Sequence, residues 1–246
     1  NGIIYITGPT GSGKTTTLYM VLEQLSRKQV NISTIEDPVE KNLPKINQVQ
    51  VNNTAGLTFE VGLRALLRQD PDIIMVGETR DSETAAISIR SAITGHLVLS
   101  TLHTNNAVAS IVRLIDMGME PYMIANSVVG IIAQRLMRKV CPHCCEEVEL
   151  TELEQEMTGH ELSRAKKAKG CNRCNYTGYH GRIAVHEIVS IDKSIRDMIS
   201  RRATMEEITA YAIKQQGMKL LREEGLELVR QGITTMEEFL KIAYNA

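Results

Sequence analysis

Lys14 and Thr15 close the run Gly8-Pro9-Thr10-Gly11-Ser12-Gly13-Lys14-Thr15, which fits the pattern G-x-x-x-x-G-K-[ST]. Glycines in such a run let the backbone turn tightly and aim consecutive N–H groups inward, so that amides and the positive end of the following helix cradle phosphate oxygens. Lys14 then reaches the β- and γ-phosphates as a point charge, and the Thr15 hydroxyl ligates Mg²⁺. The expected nucleotide contacts are Gly8, Pro9, Thr10, Gly11, Ser12, Gly13, Lys14, Thr15 and Thr16, with ATP and Mg²⁺ as the bound species. The bland alternative is a glycine-rich turn without a ligand, which the flanking strand and helix patterns disfavour.

Hydrolysis of a bound triphosphate needs a water held and deprotonated near the γ-phosphate. Glu78 follows the apolar run Ile73-Ile74-Met75-Val76 and Gly77, where a buried parallel strand would end, and is read as the general base. Asp72, at the start of that strand, is read as structural or far from the metal. Among Glu36, Asp37 and Glu40, Glu36 is favoured for the metal and water side, while an Asp-Pro turn accounts for Asp37 almost as well. His103 closes another strand and is expected either to donate to the γ-phosphate or to read its presence. His96, at the start of the same strand, would orient a loop or be a satisfied core histidine.

Cys141-Pro142-His143-Cys144 and Cys171-Asn172-Arg173-Cys174 form two C-x-x-C pairs separated by 26 residues. Each pair can grip one tetrahedral ion from a tight knuckle, and four thiolates leave no open position, so the expected site is a structural Zn²⁺ held by Cys141, Cys144, Cys171 and Cys174. Cys145 or His143 could replace a neighbour. Disulfides are the weaker explanation for a cytosolic chain, and free thiols without metal are the bland one.

These groups must be carried by strands and helices. The spacing predicts strands over Ile3 to Thr7, Asn31 to Ile35, Ile46 to Val51, Ile73 to Val76 and Leu97 to Leu102. It predicts a helix from Thr15 with Leu18, Val21, Leu22 and Leu25 on one face, and further helices over Phe59 to Leu67 and Ser82 to Ile93. Ala107 to about Arg138 reads as helical, and Ile191 to Ala246 as several amphipathic helices with capping boxes at Thr204/Glu207 and Thr235/Glu238. Strands alternating with helices imply a parallel sheet with ligands at the strand ends.

Bulk composition excludes several classes. The chain has 246 residues, 43% apolar and 23% charged, and its 28 Lys and Arg against 29 Asp and Glu leave a formal charge of -1. No overall basic field attracts nucleic acid, and aromatics make up only 4%, so a nucleic-acid binder is not expected. No apolar run reaches the length of a membrane span, and the first residues lack a signal-peptide pattern, which points to the cytoplasm. The N-K-x-D base-reading motif of a GTPase is absent from the sequence. Because the chain opens directly at a strand, an upstream part of the natural protein is expected.

Taken together, these residues resemble the ATPases that power type II secretion and type IV pilus assembly. The likeness runs through nearly the whole chain. It rests on the phosphate loop, the acidic box Thr34 to Glu40, the Walker B segment Leu66 to Glu78 and the histidine box Thr94 to Asn105. The paired C-x-x-C element and the tail Gly217 to Glu238 are similar to the secretion and pilus-extension branches rather than the retraction motors. The resemblance implies an α/β fold: a RecA-like P-loop NTPase core (1–138), a small four-cysteine metal-binding insertion (139–180) and a helical C-terminal subdomain (181–246). It also implies a homo-hexamer with ATP bound between two domains. Inner-membrane platform proteins of the machine are the expected partners, and the chain would meet the inner face of the cytoplasmic membrane only through them. Arg64, Arg68, Arg80, Arg113 and Arg182 fall in segments that the family associates with the nucleotide site or with subunit contacts, and Arg80 is added to the nucleotide set. Thr79 and Asn106 depart from the family pattern without removing a group the chemistry needs. A retraction or DNA-uptake motor of the same superfamily, or a P-loop kinase, is the alternative.

Overall fold

Short apolar runs form the strands Gly2–Thr7 (β1), Ile32–Glu36 (β2), Asn47–Gln50 (β3), Ile73–Val76 (β4) and Leu97–Leu102 (β5). The helices Lys14–Leu25 (α1), Phe59–Leu66 (α2) and Ser82–Ile93 (α3) join them in a computed structural model that describes residues 1–244. Side chains at the helix starts satisfy free amides, as Thr58 does for Val61 and Asp81 for Thr84. The sheet runs β3-β2-β4-β5-β1 and then continues to Val128–Val140 (β6) and Tyr179–Ser190 (β9). Pairings β2 with β3, β2 with β4, β4 with β5, β1 with β5 and β1 with β6 are all parallel.

One expected element is corrected. Ala107 to Arg138 is helical only through Ala109–Asp116 (α4) and Pro121–Ser127 (α5), after which the chain becomes β6. Val128, Val129, Ile131 and Ile132 are β-branched and suit a strand, and pairing Ile3 with Val128 through Thr7 with Ala133 satisfies the open edge of β1.

By contacts the chain forms two compact units, residues 1–133 with 188–218, and residues 134–187 with 219–246. In the first, Ile6, Leu18, Tyr19, Leu22, Ile32, Leu43, Ile73, Met75 and Leu99 form a buried cluster between α1 and the sheet. The helices Lys193–Ser200 (α7) and Met205–Gln216 (α8) belong to the same unit. Val21 is 37% exposed, so the buried stripe of α1 is turned towards Tyr19.

The second unit holds the antiparallel pair Glu146–Glu149 (β7) and Arg164–Lys167 (β8), with Glu152–Met157 (α6) between them. It also holds Leu221–Arg230 (α9) and Met236–Ala243 (α10). The expected caps at Thr204 and Thr235 both form: each hydroxyl accepts the amide three residues on at 3.3 Å. The return arms go elsewhere, Glu207 to Arg201 at 3.2 Å and Glu238 to Arg138 at 2.7 Å. Among the described residues no helix is long and apolar enough to cross a membrane.

Candidate nucleotide site and four-cysteine centre

β1, β5 and β4 lie side by side and in parallel, so the segments that follow them emerge at one edge of the sheet. After β1 comes the loop Gly8 to Gly13, and Gly13, with φ of 85°, sits in the left-handed region that admits glycine and turns the chain into α1. Lys14 Nζ donates to Gly8 O at 2.8 Å and to Pro9 O at 3.0 Å, so the buried lysine, just past the loop, is tied back to its start. Pro9, Thr10, Gly11 and Thr16 are exposed, Ser12 is buried, and Gly13 and Thr15 are half-buried at the helix N-terminus. A loop of this shape presents amides and the positive end of a 12-residue helix to an anion.

Hydroxyls fasten the strand ends to one another. Thr7 Oγ accepts the Thr104 amide at 2.9 Å and donates towards Leu102 O at 3.1 Å, tying the loop's root to the segment that carries His103. Thr101 Oγ donates to Gly77 O at 2.8 Å, and the Gly77 amide donates to Ile35 O at 2.8 Å. A Cβ on Gly77 would lie 3.3 Å from Glu36 Cα, which is how closely the ends of β2 and β4 approach.

Glu78 leaves β4 with a side chain only 16% exposed, within 2.8 Å of His103 Nε2 and 2.6 Å of Arg80 Nη2. Burial pushes its carboxyl up. The hydrogen bond from Arg80 and the positive fields of His103, Arg80 and Lys14 outweigh burial and hold it below the ordinary value. The same contact raises the Arg80 guanidinium, to which Asp37 adds its field. Lys14, Glu78, Arg80 and His103 are therefore brought together at one edge.

Glu36 sits apart from that cluster in its bonding. It is buried, and its carboxylate accepts from Tyr19 Oη, from Thr34 Oγ at 2.5 Å and from Gln48 Nε2 at 3.0 Å. Thr34 opens the acidic box, whereas Tyr19 and Gln48 carry no motif of their own, and only their place around Glu36 reveals them. His96 lies at the opposite end of β5 from His103, where its Nδ1 is 3.0 Å from Ser91 O. Asp72 likewise accepts the Asn31 amide at 2.7 Å at the far end of β4. Arg64, Arg68, Arg113 and Arg182 are exposed, and Arg64 pairs with Glu60 at 2.9 Å.

In the second unit the Sγ atoms of Cys141, Cys144, Cys171 and Cys174 all lie within 4.8 Å of one another. Three of the separations are 4.0 Å (Cys141 to Cys171), 3.8 Å (Cys144 to Cys174) and 3.8 Å (Cys171 to Cys174). A tetrahedral ion with metal–sulfur bonds of about 2.3 Å sets sulfur atoms about 3.8 Å apart, so the donor set fits Zn²⁺. Amides of Gly170, Cys171 and Gly178 donate to the sulfurs at 3.3, 3.1 and 3.3 Å, the polarity a thiolate requires. Gly178 has φ of 78°, and a Cβ there would lie 2.6 Å from Ala168 Cβ, so the knuckle closes only on glycine. The β7–α6–β8 excursion occupies the 26-residue spacer. His143 faces Arg173 Nη1 at 3.1 Å, and Cys145 lies outside the four-sulfur group.

Glycine loop after β1, parallel sheet and an acid after β4, two strands away, define a RecA-like P-loop α/β protein with a four-cysteine element. The chain belongs to the type II/IV secretion system protein family, whose profile matches residues 1–241. It is 48% identical over 246 residues to the type II secretion system protein HxcR of Pseudomonas aeruginosa, covering 100% of this chain and 49% of the relative. It is 51% identical over 247 residues to the type IV pilus assembly ATPase PilB of Thermus thermophilus, covering 97% of this chain and 27% of that protein. The pilus retraction motor PilT, crystallised with ADP, superposes with a TM-score of 0.73 at 30% identity, over 98% of this chain and 61% of PilT. The chain thus spans about half the length of HxcR and less of PilB.

Proposed function

We propose that this chain binds Mg²⁺–ATP and hydrolyses it as the motor part of a cytoplasmic machine that assembles a type II secretion pseudopilus or a type IV pilus. The observation that carries the reading is the convergence of Lys14, Glu78 and His103 after three adjacent parallel strands, β1, β4 and β5. Lys14 and the loop amides bind the phosphates and neutralise charge as it develops. Mg²⁺, held by Thr15, supplies further neutralisation when bound. Glu78, kept ionised by its cationic neighbours, accepts the proton of the attacking water, and His103 orients that carboxylate from the next strand. Glu36 stands on the metal and water side, and Arg80 completes the nucleotide set.

The reading extends to a homo-hexamer in which an arginine of a neighbouring subunit completes the site, drawn from the exposed Arg64, Arg68, Arg113 and Arg182. In it, residues 1–138 are the ATPase core, 139–180 a structural zinc element and 181–246 a largely helical tail that first completes β9 and whose α7 and α8 belong to the first compact unit, and inner-membrane platform proteins recruit the hexamer to the membrane's cytoplasmic face. The four-cysteine group supports the assembly branch over a retraction or DNA-uptake motor. Phosphate release per chain, followed against protein concentration, tests the assembly requirement. Release should rise as subunits associate. A monomer that turns over ATP as fast as the hexamer contradicts it.

A further inference from the structure

Tyr19 stands one helical turn beyond Thr15 on α1, and its ring belongs to the buried cluster with Leu22, Ile32 and Leu43. A phenylalanine would fill that space. The hydroxyl instead does two things: it donates to Glu36 Oε2 and accepts the Glu40 amide at 3.1 Å. Burial and then the bond to Glu36 push the Tyr19 phenol up to about 12, so the proton that makes this bond stays in place at neutral pH.

The segment from Asp37 to Ile46, between β2 and β3, forms neither helix nor strand, so side chains must satisfy its polar groups. From β3, Gln50 accepts the Val39 amide at 3.2 Å, while Gln48 accepts the Leu43 amide at 2.6 Å and donates to Lys41 O at 3.1 Å. From α1 come Tyr19 and, at the exposed rim, Glu23, which pairs with Lys41 at 2.8 Å. Exposed pairs of this kind hold little, which leaves the buried hydroxyl as the firm polar link from the loop helix, beside the apolar packing of Leu43 in the same cluster.

We propose that Tyr19 is a positioning residue whose hydroxyl fixes the acidic segment Glu36 to Glu40 to the helix that carries Lys14 and Thr15, so that acids and phosphate loop keep one geometry. This rests on the nucleotide-site reading above. It assigns Glu36 a supporting bond as well as its place near the metal side.

Tyr19→Phe, in the full-length protein, separates the two claims. Amide exchange should quicken about tenfold at Glu40 and its neighbours, with protection across Lys14–Leu25 unchanged. Turnover should fall about tenfold in kcat with KM for ATP within about twofold, because alignment and not ground-state binding is lost. Tyr19→Phe combined with Glu36→Gln should be no worse than the poorer single variant. Unchanged exchange at Glu40 overturns the placement, and unchanged kcat or multiplicative losses overturn the positioning role. If the unmodified protein releases no phosphate, the ATPase reading fails and the exchange result alone decides the Tyr19 link.

Discussion

His103 Nε2 lies 2.8 Å from Glu78 Oε1, although the two residues leave different strands. Together with Arg80 on Oε2 at 2.6 Å, this gives each carboxylate oxygen a nitrogen partner and fixes the orientation of the acid. His103→Ala removes one of the positive fields that hold the Glu78 carboxyl down. Losing that field raises the carboxyl pKa, so the acid limb of the pH–rate profile should move to higher pH, with kcat lower by about tenfold. Steady-state turnover between pH 4 and pH 8 checks both.

Lys14→Ala removes a buried ammonium that bonds Gly8 O and Pro9 O at the start of the glycine loop. Affinity for ATP should fall by about 10- to 100-fold, the loss of one charge-assisted hydrogen bond, with the sheet intact. Titration with a fluorescent nucleotide, beside a circular dichroism spectrum, makes the comparison.

The second unit carries its own pH dependence. Burial pushes the Glu238 carboxyl up, but hydrogen bonds from Arg138 and Lys241 outweigh it and hold the group below its ordinary 4.5. A depressed carboxyl contributes stability above its unfolded pKa and loses it as pH falls through the folded one. Tm should therefore drop as pH falls below 4.5, and Glu238→Gln should show a smaller drop over the same window. Thermal unfolding at a series of pH values reads it out.

Metal removal should act locally. Chelation, or Cys144→Ser with Cys174→Ser, should expose amides near residues 141–174 to exchange while nucleotide binding changes less than about twofold. Unchanged thermal stability after measured loss of Zn²⁺ would count against a structural ion.

The phosphate loop, the bounds of α3 and the acid after β4 were all legible, because each is written in adjacent residues with one strong period or one fixed motif. The four-cysteine group was legible from its two knuckles. The β7–β8 hairpin that spans its spacer was not, since its short charged strands carry no apolar period. Val128 to Val140 misled because its apolar residues also fit a helical face, and only the open edge of β1 decides for a strand. Tyr19 was hidden for a related reason. A helical count from Leu18 selects Val21 for the core, whereas Val21 is 37% exposed and Tyr19 only 6%, the stripe being turned by a hydroxyl that meets Glu36 across the fold.

The proposed function requires Glu78 to activate water against a bound ATP. Acceptor-free release of inorganic phosphate from Mg²⁺–ATP, measured for the unmodified protein and for Glu78→Gln, tests it most directly. Steady release should fall by at least about 100-fold in Glu78→Gln, with ATP affinity within about twofold. Equal release by the two proteins, or none by the unmodified assembled protein, would contradict it.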